Sequence, residues 1–409
     1  MEIISGGVTA PKGFRAGGVH AGVRKNKLKK DMALLVSDVP AVTVGTYTLN
    51  VVKAAPVMWD RSLTDGKNKC QALVVNSGVA NTCTGDAGYH DVVETAEYLG
   101  RKLNIDRESI VVASTGVIGL RLPMDTIKHG IDMLVEDYDY DIAHGTDASH
   151  AIMTTDLYNK EIAVKIKIKG RDITIGGMCK GSGMINPNLG TVLSFITTDL
   201  NVEYNLLHRL LKEDVDETYN MVSVDGDMST NDTVMIFANG MAGNPVLTEA
   251  DTEDVKVFAE ALKYINTYFA KAIAADGEGA TRMFQVDVVN APNLINARKL
   301  AKAIVCSNLI KCAIYGSDAN WGRFISAMGQ SGAHFDPYRT DLHIASSVGE
   351  LLIVENGMAT EYDEEYATRI LSEKSVTCTV DLKLGKAKAT AWGCDLTYDY
   401  IKINAEYRK

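Results

Sequence analysis

The sequence predicts a mixed α/β protein with a large share of antiparallel sheet. Two stretches carry that expectation. Residues 162 to 175, IAVKIKIKGRDITI, alternate apolar and polar on both sides of Gly170, as the arms of a hairpin do. Residues 376 to 392, VTCTVDLKLGKAKATAW, repeat the pattern around Gly385 and predict a second hairpin. Two shorter runs, Ala72 to Asn76 and Ile110 to Ala113, are apolar until they end in small polar residues, as buried strands are. Helical periodicity is clearest from Glu253 to Ile273, where Val255, Phe258, Ala259, Leu262 and Ile265 share one face. Further helices are expected near 122–136, 203–217, 293–305 and 362–372. The elements follow no strict βαβ repeat, so a purely parallel sheet is not expected.

Composition narrows the function. Of 409 residues, 46% are hydrophobic and 23% charged, an ordinary globular balance. The formal charge of -10 argues against nucleic acid as a partner, because phosphate contacts need clustered Lys and Arg. The one basic run, RKNKLKK from Arg24 to Lys30, reads as a solvated loop. Nowhere do ~18 apolar residues run together, so no membrane helix is expected. The opening stretch has no basic segment followed by an apolar one, so no secretory leader is expected. Seven scattered cysteines without a C-x-x-C pair fit reduced thiols in the cytoplasm and give no zinc pattern.

Several familiar sites fail on order or spacing. GGMCKGSG, from Gly176 to Gly183, has Lys-Gly-Ser where a phosphate loop needs Gly-Lys-Ser. Gly277 to Arg282 lacks the third glycine of a dinucleotide fingerprint. No H-E-x-x-H occurs, His144 and His150 have no helical metal spacing, and Gly329 to Gly332 is no nucleophile elbow. No metal is expected.

Four segments remain that are rich in small and hydroxyl residues: Ala113 to Gly119, Met153 to Asp156, Lys180 to Thr191, and Asp225 to Thr233. Taken singly, such clusters are ordinary turns. Together with Gly6-Gly7-Val8-Thr9-Ala10-Pro11-Lys12-Gly13-Phe14, Val75-Asn76-Ser77-Gly78, Asp276-Gly277-Glu278-Gly279-Ala280-Thr281, Tyr315 to Arg323 and Asp395 to Tyr400, they appear in an order that resembles one family nearly end to end. It is the ornithine acetyltransferase family of arginine biosynthesis, also called glutamate N-acetyltransferases.

The resemblance implies an α-β-β-α layered sandwich made as one precursor that cuts itself. The matching bond is Gly190–Thr191, giving fragments 1–190 and 191–409 interwoven in one folded unit, two of each forming a heterotetramer. Thr191 is implied as nucleophile, with its freed α-amine, of ordinary pKa near ~7.7–8.0, as the base. Thr115 and Gly116 are implied as oxyanion donors. Thr154 or Thr155, Lys180, Thr191, Glu278, Asn404 and the C-terminal residue are implied as substrate contacts. The substrates would be N-acetylornithine and glutamate. Opposite charges at the two ends of ornithine ask for opposite charges in the site; Lys180 suits the carboxylate and Glu278 the ammonium. No cofactor is implied, and no motif decides whether acetyl-CoA serves as a second acetyl donor. Four positions depart from the family pattern: Gly190 stands where Ala is usual, Lys409 where a terminal hydroxyl residue is usual, Met228 where Thr is usual, and Val79 where Asn is usual. A self-processing aminopeptidase or amidase is the rival on the same chemistry, with water as acceptor. A binding protein that has lost processing is the other.

Overall fold

The computed structural model describes residues 1–26, 28–186 and 192–406. The strands in chain order are β1 (Glu2–Ile4), β2 (Phe14–Val19), β3 (Met32–Tyr47), β4 (Lys69–Val79), β5 (Ile110–Val117), β6 (Lys160–Ile168), β7 (Arg171–Lys180), β8 (Leu193–Thr198), β9 (Val222–Ser223), β10 (Thr233–Ala238), β11 (Met283–Ala291), β12 (Asp341–Ser346), β13 (Gly349–Glu355), β14 (Met358–Ala359), β15 (Ser375–Asp381) and β16 (Ala387–Cys394). They form two sheets, each within its own compact unit.

The first unit takes Met1–Gly181, residues 192–216 and Met228–Phe269. Its nine-stranded sheet runs β1-β6-β7-β8-β10-β3-β4-β5, with β2 added on β3. The hairpin expected around Gly170 is β6–β7, with Gly170 at φ +75° in the turn. The two shorter runs lie in β4 and β5, which are parallel, and the helix α2 (Gly85–Leu103) supplies the long connection that parallel neighbours need. β8 and β10 lie side by side in parallel between β7 and β3.

β5 is an edge strand, and the helix α1 (Ala55–Asp65) blunts that edge. The indole N–H of Trp59 donates to the Ile110 carbonyl at 3.0 Å, and Asp60 Oδ1 accepts from the Val112 N–H at 3.0 Å. Asp60 is 1% exposed, and its Oδ2 has no partner among the described residues. Burial pushes its carboxyl well above the ordinary range, and the single amide bond from Val112 only partly opposes that.

The second unit holds residues 182–186, Glu217–Asp227 and 270–406. Its sheet runs β14-β13-β12-β15-β11-β16-β9. Here the second expected hairpin is corrected. β15 and β16 do not pair with each other, because β11 lies between them, parallel to β15 and antiparallel to β16. The connection crosses the end of β11 instead of turning back: the Leu382 N–H bonds the Val289 carbonyl, and those of Leu384 and Gly385 bond Asn290. Alternation on both sides of a glycine reports two strands, and it is silent on whether they are neighbours. The expected helices appear as Met124–Glu136, Tyr204–Glu217, Thr252–Ala275, Leu294–Cys306 and Glu364–Leu371. Among the described residues no helix is long and apolar enough to cross a membrane.

Asp60 makes stability depend on pH in a definite direction. Its folded pKa lies above the unfolded value of ~3.9, so the stability of the neutral buried form is present below that value and is lost as pH rises through the folded pKa. Asp60→Asn keeps the acceptor for Val112 and cannot ionise. Urea unfolding of both proteins should show the variant gaining on the wild type as pH rises above about 4; a gap that stays constant with pH would refute this.

Candidate active site

Two glycines make the floor of the site in the first unit. Gly116, near the end of β5, has φ +129°, and a Cβ there would sit 2.3 Å from the carbonyl carbon of Gly78 on β4. Gly78 itself has φ +115°. Both facts restrict these positions to glycine. The strands thus approach closely and leave the half-buried Thr115 and the Gly116 backbone at the end of a packed strand. An oxyanion donor needs such rigidity, because its advantage lies in not having to reorganise.

Asn231 clasps this strand end. Its amide donates to the Ser114 carbonyl and to the Ala80 carbonyl, each at 2.7 Å. Its oxygen accepts from the hydroxyls of Thr82 at 2.9 Å and Thr230 at 2.7 Å. The Ser114 hydroxyl donates to Asn76 Oδ1 at 2.6 Å, and Asn76 donates onward to the Val79 carbonyl at 2.8 Å. All four side-chain bonding positions of a buried amide are used, the condition under which a buried polar network rigidifies its surroundings. Two residues on, the Thr233 N–H donates to the Val192 carbonyl at 2.8 Å. One short segment therefore bonds the residue before Thr115 at one end and the residue after Thr191 at the other.

The third feature is a buried charge cluster. Asp156 Oδ1 accepts from Lys160 Nζ at 2.8 Å and from the Gly181 N–H at 2.7 Å, while Oδ2 accepts from the Thr154 N–H at 2.9 Å. Lys160 is 0% exposed, Asp156 2% and Lys180 7%. Burial would raise the Asp156 carboxyl, but the charges of Lys180 and Lys160 and the bonds from Lys160 and Thr154 outweigh it and hold the group ionised, well below the usual range. Burial pushes the Lys180 ammonium down; Asp156 opposes this, and Lys160 and Arg24 add to it. Lys180 ends β7 and pairs with Leu193, the second residue after Thr191. Thr155 is half-buried beside Thr154.

In the second unit, Glu278 and Asn404 come together. Asn404, on the helix Tyr398–Glu406, donates to Glu278 Oε2 at 2.7 Å. Glu278 is 8% exposed, and its N–H bonds the Ser182 carbonyl at 2.9 Å. A side chain at Gly183 would collide with its carboxylate, 2.3 Å from the carboxyl carbon. The chain from Ser182 to Asn186 is fixed here. The Ser182 hydroxyl donates to the Asp276 carbonyl at 2.6 Å, and Asp225 accepts from the N–H groups of Met184 at 2.6 Å and Ile185 at 2.9 Å. Gly190, Thr191 and Lys409 lie outside the described residues.

A family model, the ArgJ family, matches residues 15–409. The chain belongs to the ArgJ family. The arginine biosynthesis bifunctional protein ArgJ of Caldanaerobacter subterraneus is 48% identical over 408 residues, covering all of both chains. That of Thermotoga neapolitana is 49% identical over 400 residues, 97% of this chain and 99% of its own. Among solved structures, ornithine acetyltransferase from Mycobacterium tuberculosis in complex with ornithine is 37% identical, with TM-score 0.42, over 47% of this chain and 98% of its own.

Two half-buried or buried cations near the candidate residues escaped the sequence. Lys160 opens a strand of alternating lysines, where nothing marks the first as buried. Arg24 heads the basic run expected to be solvated, yet it is half-buried and its guanidinium donates to the Met153 carbonyl. At the other end of the run Lys30 is also half-buried, bonded to the Gly18 carbonyl at 2.9 Å and paired with Asp147 at 2.6 Å. Spacing held no signal for Arg24, whose partner Met153 is far away in sequence, whereas Lys160 bonds Asp156 four residues before it.

Asp156 balances two buried ammonium groups. Asp156→Asn leaves Lys160 and Lys180 facing each other without it and turns an amide N–H toward existing donors. Removing one partner of a buried ion pair costs about 3–5 kcal/mol. Urea unfolding should show a loss of that order, and a loss below ~1 kcal/mol would mean that the cluster is solvated.

Proposed function

We propose that the chain cuts itself between Gly190 and Thr191 and then uses Thr191 to carry an acetyl group from N-acetylornithine to glutamate. By family the chain is an acyltransferase enzyme of arginine biosynthesis; the covalent route is the inference. The observation that supports it best is the 231–233 segment, bonded to Ser114 on one side and to Val192 on the other. It ties the residue before the proposed oxyanion donors and the neighbour of the proposed nucleophile to the same three residues.

The chemistry then balances in two steps. Thr191 Oγ attacks the acetyl carbonyl, its proton passes to the α-amine, and the oxyanion is held by the Thr115 hydroxyl and the Gly116 N–H. The amide C–N bond breaks, and ornithine leaves with the proton that the α-amine returns. The α-amine of glutamate next attacks the acetyl ester, the ester C–O bond breaks, and Thr191 Oγ recovers a proton. Lys180 holds the substrate carboxylate, in a cluster where Asp156 neutralises Lys160. Glu278, steadied by Asn404, holds the ornithine ammonium. The relatives are named bifunctional; the same ester formed from acetyl-CoA would acetylate glutamate without any ornithine release.

The deciding experiment is release of ornithine from acetylornithine with and without glutamate. A transferase needs glutamate for turnover, whereas a hydrolase releases ornithine equally in both. Acetyl-CoA as sole donor tests the second activity.

Thr191→Ala should give one uncut chain on a denaturing gel and no transfer. Two fragments, the second starting at residue 191, would sink the self-cleavage reading. Thr115→Ala should lower kcat by ~10²–10³ fold, the usual loss for one oxyanion donor, with a smaller change in KM. Unchanged kcat with raised KM would make Thr115 a binding residue instead.

A further inference from the structure

The surroundings of Glu278 in the second unit suit a cation and nothing else. Its Oε2 accepts from the Asn404 amide at 2.7 Å, whereas Oε1 has no hydrogen-bond partner among the described residues. Gly183, which offers no side chain, faces both carboxylate oxygens: a Cβ there would sit 2.4 Å from each. The neighbouring elements bring Glu278 no positive charge. The turn from Ser182 to Asn186 carries no titratable side chain. The loop beyond β9 brings Asp225 and Asp227. Burial raises the Tyr400 hydroxyl, and the charges of Asp225, Glu278 and Asp227 add to that. The C-terminal helix adds Asp399, Lys402 and Glu406, all exposed. Arg282 spends its guanidinium on the carbonyls of Ile314 and Tyr315. Among the described residues Glu278 has no ion pair.

One site has to serve both half-reactions. The leaving amine of ornithine and the attacking amine of glutamate take the same place at the Thr191 ester, and both amino acids offer Lys180 an α-carboxylate. Their side chains then point the same way. The ornithine nitrogen and the carboxylate oxygens of glutamate lie the same number of bonds from the α-carbon, so the second carboxylate of glutamate arrives at Glu278. Two carboxylates within hydrogen-bond distance cannot both stay ionised. We propose that glutamate binds with one proton shared between its side-chain carboxylate and Oε1 of Glu278, so that Glu278 meets ornithine as an anion and glutamate as half of an acid pair. The proposal rests on the acetyl-threonine route and on the Lys180 and Glu278 assignments given above. The proton comes from solvent as glutamate binds and returns to it when N-acetylglutamate leaves. The bonds made and broken at Thr191 are unchanged.

Uptake of a proton on binding weakens that binding by about tenfold for each unit of rising pH. The test is Glu278→Gln in the self-processed enzyme. The glutamine oxygen can keep the bond from Asn404, while its amide N–H, in the place of Oε1, donates to the acceptor carboxylate with no added proton. In a two-step transfer, kcat/KM for each substrate reports its own half-reaction. The readout is kcat/KM for glutamate in the variant divided by that in the wild type, a ratio in which ionisation of the acceptor's own amine cancels. It should rise by about tenfold per unit between about pH 6 and pH 8, above the ordinary carboxyl range. Over the same range kcat/KM for acetylornithine should fall by about ten- to a hundredfold in the variant, the span expected for losing a charged hydrogen bond. A merely structural role for Glu278 would slow both half-reactions at every pH, and a ratio that stays flat with pH overturns the proposal. Should Glu278→Gln fail to fold, Glu278→Ala carries the test. It also removes the group with which the proton is shared, so the same rise is expected and a flat ratio again overturns the proposal. Intact-mass measurement of the wild type after acetylornithine alone separates the two levels. A missing acetyl adduct defeats the acetyl-threonine route and the shared proton with it, while an adduct with a flat ratio defeats the shared proton only.

Discussion

The first unit turns on one buried amide. Asn231 bonds the carbonyls of Ser114 and Ala80 and the hydroxyls of Thr82 and Thr230, so three separate stretches of chain meet at a single side chain. Geometry at Thr115 follows, because the residue before it is fixed from outside its own strand. So does the entry to β8, because Thr233 bonds Val192 only when the 229–233 segment is in place. An aspartate of similar shape could not replace this amide, since it has no N–H to give either carbonyl. An unpaired buried carbonyl costs about 1–3 kcal/mol, which is a sizeable share of the marginal stability of any domain.

Charge is managed by the same economy of partners. In the first unit, Asp156 is ringed by two lysine ammonium groups and two backbone N–H groups, so burial does not neutralise it. In the second unit Asp225 is treated differently. It accepts amides from Met184 and Ile185, but burial still raises its carboxyl, and Asp227 nearby adds a like charge. Amides orient a carboxylate without cancelling its charge, whereas lysines do both. That contrast fits a cluster that must present a fixed positive face and a carboxylate whose main task is to hold a turn.

Much of this was legible in the sequence, and the failures are instructive. The helices from 124 to 371 lay close to where apolar periodicity placed them, and the Gly170 hairpin was real. The second hairpin failed because alternation fixes which face a residue takes and says nothing about which strand is next to it. Of the residues that the family resemblance implied, Thr115, Gly116, Thr154, Thr155 and Lys180 lie in the first unit and Glu278 and Asn404 in the second. Arg24 and Lys160 were invisible for a physical reason. A cation looks alike in sequence whether it faces water or a buried partner: Arg24 bonds Met153 far along the chain, and Lys160 bonds the nearby Asp156, a pair whose burial only the surrounding fold decides.

The placement of β8 and β10 has a consequence for how such a molecule is made. Both strands come after residue 191, and both lie inside the first sheet, bonded to β7 on one side and β3 on the other. A chain lacking them would present two open strand edges in the middle of a sheet, each a template for pairing with a neighbouring molecule. The two halves are therefore poor candidates for separate synthesis and later mixing. Sharing one polypeptide during biosynthesis makes completion of the sheet around β8 and β10 intramolecular, so that it outruns aggregation. Once the sheet is complete, the ladder of main-chain bonds to β7 and β3 holds β8 and β10 in register, so the cut proposed at Gly190–Thr191 would leave that ladder whole.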